Sequence, residues 1–107
     1  MPLIEVSALP QPEGVRERIL DSLVAEVSAA LGRPPGSVWA VWRPLEPGAY
    51  AVGEDRPLAQ PRDTHPPIVR VHARRTPDEM ERVVAAIERV IMRELALDPF
   101  VILEPAD

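Results

Sequence analysis

The sequence predicts an α+β domain, in which two fused β-α-β units form one four-stranded sheet with both helices on one face. Three observations predict it. A proline followed by a short alternating run occurs twice, at Pro2-Leu3-Ile4-Glu5-Val6 and at Pro67-Ile68-Val69-Arg70-Val71. Each run leads into an apolar stripe of helical spacing, and the two stripes match. Each stripe is followed by a second run suited to a strand. The expected organisation is one domain over 1–107, with a first unit and hairpin at 1–54, a connector at 55–66 and a second unit at 67–107.

Residues 3–8 place Ile4, Val6 and Ala8 on one face and Leu3, Glu5 and Ser7 on the other. Residues 68–73 repeat the pattern, with Val69, Val71 and Ala73 against Ile68, Arg70 and His72. Alternation of period two is the mark of a half-buried strand. In the first helix Ile19, Leu20, Leu23, Val27 and Leu31 form the stripe; in the second, Val83, Val84, Ile87, Ile91 and Leu95 do so. Such spacing buries one side of an amphipathic helix. Thr76, Pro77 and Glu79 form a strong start signal for the second helix, with a capping box and a proline at the first helical position. The first helix begins around Pro12-Glu13-Gly14. Gly32 with Pro34-Pro35 ends the first helix, and Asp98-Pro99 the second.

Strands then follow at 38–42 and 100–103, and Ala49-Tyr50-Ala51-Val52 is expected to fold back as a hairpin. A strand, helix and strand in one sheet imply a parallel pair with a right-handed crossover. Two such units leave one sheet face without helices, so Leu3, Ile68 and one of Trp39 and Trp42 must point away from them. An exposed apolar face of that kind marks an interface, and an oligomer is expected.

Composition narrows the function. At 107 residues the chain can bury a single core, and 46% apolar with 27% charged residues is ordinary for a globular domain. A net charge of −5 argues against nucleic acid, which demands a basic surface. No apolar run is long enough to span a bilayer, and no signal peptide is visible. The absence of cysteine excludes thiolate chemistry and disulfides and points to a cytoplasmic address. Fourteen prolines punctuate the element boundaries. The two histidines, His65 and His72, lack companion ligands at metal-binding spacing, so no metal is expected and both are assigned to the surface or an interface.

One backbone nitrogen stands apart. Removal of Met1 turns Pro2 into a secondary amine, able to act as a base or nucleophile. With this proline and the duplicated units, the chain resembles the tautomerase superfamily. The resemblance rests on Pro2-Leu3-Ile4, Ser37-Val38, the segment from Gly48 to Glu54 containing Tyr50, and Arg75-Thr76-Pro77-Asp78-Glu79. It implies a tautomerase-like fold and a cofactor-independent keto–enol isomerase acting on a small carboxylate. Pro2 would be the general base, Arg75 the carboxylate binder with Arg74 as its helper, and Trp39 and Tyr50 the walls of the pocket. Trp39 stands where 4-oxalocrotonate tautomerase has an arginine, and Gln11 or Pro12 stands at the arginine position of the first unit. Fused two-unit members form trimers, so a homotrimer is expected. The superfamily also holds dehalogenases and a decarboxylase, for which Glu5, Glu46 and Glu54 are candidate water-positioning carboxylates by location. The alternatives are hydration or decarboxylation in that family, a ferredoxin-like small-molecule-binding module without catalysis, and a member retained for assembly alone.

Overall fold

The computed structural model describes residues 2–56 and 65–105. Four strands, β1 (Leu3–Ala8), β2 (Trp39–Pro44), β3 (Ile68–His72) and β4 (Phe100–Glu104), and two helices, α1 (Val15–Ala30) and α2 (Pro77–Leu95), alternate along the chain as two β-α-β units. The sheet order is β2-β1-β3-β4. Within each unit the strands are parallel, while β1 and β3 pair antiparallel at the centre and join the units. The expected four-stranded sheet with both helices on one face is what the chain forms, and its antiparallel centre makes the sheet mixed.

The core lies between sheet and helices. Ile4, Val6, Val69 and Val71 point inward and are fully buried against Ile19, Leu23, Val27, Ile87 and Ile91. Trp42 packs against this core, whereas Trp39 is 59% exposed on the opposite face. The antiparallel helices are also tied by charge. Arg18 pairs with Glu94 at 3.0 Å, Arg93 and Arg89 reach Glu26, and Arg82 donates to the Ala30 carbonyl at 3.1 Å. These contacts stitch the helix seam. These pairs are exposed, so each adds little to stability.

Helix boundaries follow local chemistry. Gly14 precedes α1 with φ 86°, a left-handed conformation that favours glycine. Thr76 caps α2 through the full capping box with Glu79. The end of α2 comes earlier than Asp98-Pro99: Leu95 is its last residue, and Ala96 adopts φ 57° while its amide bonds to Met92. The expected hairpin at 49–52 is not a strand pair. Val52 instead forms an isolated bridge with Asp55. Of the expected connector, residues 57–64 lie outside the described residues. Among the described residues no helix is long and apolar enough to cross a membrane.

Candidate active site

Strand pairing determines what surrounds Pro2. The Trp39 amide donates to the Pro2 carbonyl at 3.0 Å, extending the β1–β2 ladder one residue beyond Leu3. On the other side Leu3 pairs with His72, so one further antiparallel step sets Pro2 against Ala73. Arg74 and Arg75 follow at once, before the Thr76 cap. Three of the site residues read from the sequence, Pro2, Arg74 and Arg75, thus converge on one end of the sheet. Their union depends on β1 and β3 running antiparallel.

Pro2 is buried and has the parity of Ile4 on the helix face. Trp39 shares a backbone hydrogen bond with it, but the indole leaves on the open face beside Leu3. Arg75 is half-buried. Its Nη1 donates to the Arg74 carbonyl at 2.9 Å, while its Nε is buried without a hydrogen-bond partner among the described residues. A buried charged donor left unbonded is costly, and an anionic ligand would satisfy it. Glu79 does not serve that purpose. Its Oε1 accepts from the Thr76 amide at 3.1 Å and contacts the Thr76 hydroxyl at 3.1 Å. The Thr76 backbone hydrogen bond is the main cause holding the Glu79 carboxyl below its usual range.

Tyr50 is placed elsewhere. Its hydroxyl donates to the Pro66 carbonyl at 3.0 Å, just ahead of β3. Since Ser7 pairs with Ile68, Pro66 sits at the far end of the strand from Ala73, roughly 20 Å away. Within one chain the structure does not bring Tyr50 to Pro2. Burial raises the tyrosine pKa, and the ring stands edge-on to His65 with centroids 5.0 Å apart. His65, expected at the surface or an interface, is instead fully buried, with Nε2 3.3 Å from the Asp55 carbonyl oxygen. A polar side chain with a flat ring can close a loop from inside when its nitrogens find local partners. Glu46 and Glu54 lie exposed in turns beyond β2.

The open sheet face holds a group that sequence reasoning missed. His72 Nε2 lies 3.1 Å from Glu5 Oε1, and its Nδ1 lies 3.2 Å from Glu104 Oε2. Arg43 contacts Glu5 at 2.8 Å, and Arg70 contacts Glu104 at 2.6 Å. The Arg43 hydrogen bond is the leading cause that holds the Glu5 carboxyl below its usual range. Alternation put Glu5, Arg70 and His72 on the helix-free face, but only the register across four strands brings them together with Arg43 and Glu104. Leu3, Val41, Ile68, Phe100 and Ile102 share the face with them by strand parity. Among the described residues no group of three or more His, Asp or Glu side chains is arranged to hold a metal ion.

Comparison with known proteins bears on the fold. No family sequence model and no curated protein matches the chain. Solved structures do. The fused 4-OT Q0, a wild-type symmetric trimer, superposes with a TM-score of 0.74 at 18% identity, over 96% of this chain and 84% of that one. Malonate semialdehyde decarboxylase gives 0.70 at 18% identity, over 97% and 82% of the two chains. The macrophage migration inhibitory factor of Toxoplasma gondii gives 0.70 at 14% identity, over 98% and 88%. These proteins share the arrangement of two β-α-β units around a four-stranded mixed sheet, and the chain has the tautomerase fold.

Proposed function

We propose that this protein is a tautomerase-like enzyme in which Pro2, freed of Met1, shuttles a proton on a small enol or keto acid while Arg75 holds the substrate carboxylate. The observation that carries the reading is the antiparallel β1–β3 register, which sets Pro2 opposite Ala73 and next to the turn bearing Arg74 and Arg75. The unbonded, buried Nε of Arg75 supports it, because a carboxylate accepts in the plane of a guanidinium.

The chemistry needs a neutral amine. A secondary amine is protonated at neutral pH unless it is desolvated or set near positive charge. The burial of Pro2 and the adjacent arginines both act in that direction. Neutral, the amine removes a proton from the substrate oxygen or carbon and returns it to another carbon, as a general base followed by a general acid. The arginine guanidinium meanwhile stabilises charge that grows on the enolate oxygen. Within one chain the Trp39 indole lies on the face opposite Pro2 and Tyr50 at the other end of the sheet, so the walls expected of both would come from neighbouring copies in an assembled homotrimer.

The trimer belongs to the same proposal. Trp39 at 59% and Phe100 at 57% exposure lie on the helix-free face with Val41, an apolar area that a second and third copy would cover. One of the structures similar in fold is itself a trimer. Two measurements test the proposal. Intact mass of the native protein is expected to show loss of Met1, and phenylenolpyruvate is expected to ketonise faster with the wild type than with Pro2→Ala. Retained methionine in an active preparation, or equal rates for the two proteins, would overturn it.

A further inference from the structure

We propose that the chain carries a second ligand site, independent of Pro2, which takes a compact planar cation bearing N–H donors, of the aryl-amidinium class. The site is a cavity of about 660 Å³ where the β1–α1 loop faces the end of β2. Pro44 at its wall pairs with Ala8, six residues along β1 from Pro2, so the two sites are roughly 20 Å apart. Its volume is that of a small-molecule pocket, and Gln11, Glu13, Arg16 and Glu17 make its lining more polar than most.

The walls select a flat ligand. Trp42 packs against the core and also lines the cavity, facing Pro10, Pro12 and Pro44. Indole faces attract cations as well as apolar rings. The polar groups select for N–H donors. The Gln11 amide nitrogen donates to the Leu9 carbonyl at 3.0 Å, which leaves Oε1 as the free end of the amide. That oxygen is buried and has no partner among the described residues. The prolines on either side of Gln11 restrict the loop backbone, so a turn of the Gln11 side chain is all that presents the oxygen to a ligand.

Charge settles the sign. Arg16 gives both Nε, at 3.1 Å, and Nη2, at 2.7 Å, to Glu17 Oε1, so these two cancel. Glu13 also lines the cavity and has no ion-pair partner among the described residues. The start of α1 opposes this, since a helix N-terminus favours anions. One of its amides is already occupied, since Val15 donates to the Pro12 carbonyl at 3.2 Å. The balance is acidic, opposite to the carboxylate site expected beside Arg75.

The duplicated fold supplies its own control. The corresponding groove of the second unit, about 500 Å³, is lined by Met80, Val84 and Leu103, with Leu103 in the place of Trp42. It holds neither an aromatic ring nor an unpaired amide oxygen, so those features are particular to the first unit and not a by-product of the fold.

The test uses the full-length protein and benzamidinium chloride, with sodium benzoate as an anion of the same shape, followed by ¹H–¹⁵N NMR. Benzamidinium is expected to give saturable shifts at the Trp42 indole and the Gln11 side-chain amide, with half-saturation near about 1 mM or below. Gln11→Met and Glu13→Gln are each expected to weaken binding roughly fivefold or more in proteins whose circular dichroism is unchanged, while Pro2→Ala leaves binding intact. No saturable shift, equal shifts with benzoate, or undiminished binding in the Gln11→Met/Glu13→Gln double variant would each overturn the site. None of these readouts depends on tautomerase turnover.

Discussion

The backbone amide of Trp39 hydrogen-bonds the carbonyl of Pro2 at 3.0 Å, so Pro2 is locked into the sheet although it precedes the first strand. A proline at that point has no amide hydrogen to offer the ladder. Its carbonyl alone ties it to β2, and the ring nitrogen is left over for other work. The neighbouring antiparallel strand then delivers two arginines to the same end.

The first prediction concerns the division of labour between base and binder. Pro2→Ala should lower kcat for phenylenolpyruvate ketonisation by roughly 10²- to 10⁴-fold, the range for loss of a general base. Arg75→Ala should raise KM and also lower kcat, since the guanidinium both holds the carboxylate and stabilises the enolate, and Arg75→Lys should recover only part of the loss, because an ammonium cannot bind a carboxylate bidentately. Steady-state kinetics on the three variants separates these effects. Equal losses in KM for all three would contradict the assignment.

Assembly provides the second. Phe100 is 57% exposed on the helix-free face, with Ile68 beside it in the β3–β4 register. Phe100→Glu should reduce the proposed trimer to monomer in analytical ultracentrifugation while far-ultraviolet circular dichroism stays the same. A charge placed in an interface core must be desolvated without a partner. A monomeric wild type would remove the basis for this prediction.

Acid stability follows from Glu5. Its carboxyl pKa lies below the usual value of 4.5, first because of the Arg43 hydrogen bond, with His72 a smaller contributor. A depressed carboxyl pKa contributes stability that is fully present above the unfolded value and is lost as pH falls through the folded one. Stability should therefore decline as pH drops below 4.5, and Glu5→Gln should show a flatter decline over that window. Glu17 and Glu79 shift in the same direction but lie largely in solvent, where screening reduces their effect. Chemical denaturation at a series of pH values measures the slopes.

Two substitutions at the ends of α2 should move stability in opposite directions. Thr76→Ala removes the capping box and should cost about 1 kcal/mol. Ala96→Gly should add about 0.5–1 kcal/mol, since Ala96 holds φ 57° without the freedom of glycine. Urea unfolding midpoints decide both.

A core substitution sets the scale for these changes. Ile87 is fully buried in the core against the sheet, and Ile87→Ala should cost about 2–5 kcal/mol. A loss below 1 kcal/mol in equilibrium unfolding would mean that the helix–sheet core is looser than its burial implies.

What the sequence determined by itself was local and periodic. The alternation at 3–8 and 68–73, the helical stripes and the Thr76-Pro77-Glu79 start signal are short-range patterns, and each produced the element it implied. The end of α2 shows the limit of such signals, because Ala96 turned the chain before the proline did. Only the tertiary structure decided which ends of the strands meet. Alternation assigns a residue to a face but contains no register, so nothing in the order of residues could reveal that His72 lies between Glu5 and Glu104, or that Tyr50 sits at the opposite end from Pro2. His65 went inside for a similar reason: it meets Asp55 and Tyr50, residues distant from it in sequence, and no periodicity encodes that contact. Pairing across strands is a long-range choice, made by the packing of two units against each other, and the candidate site exists at their junction.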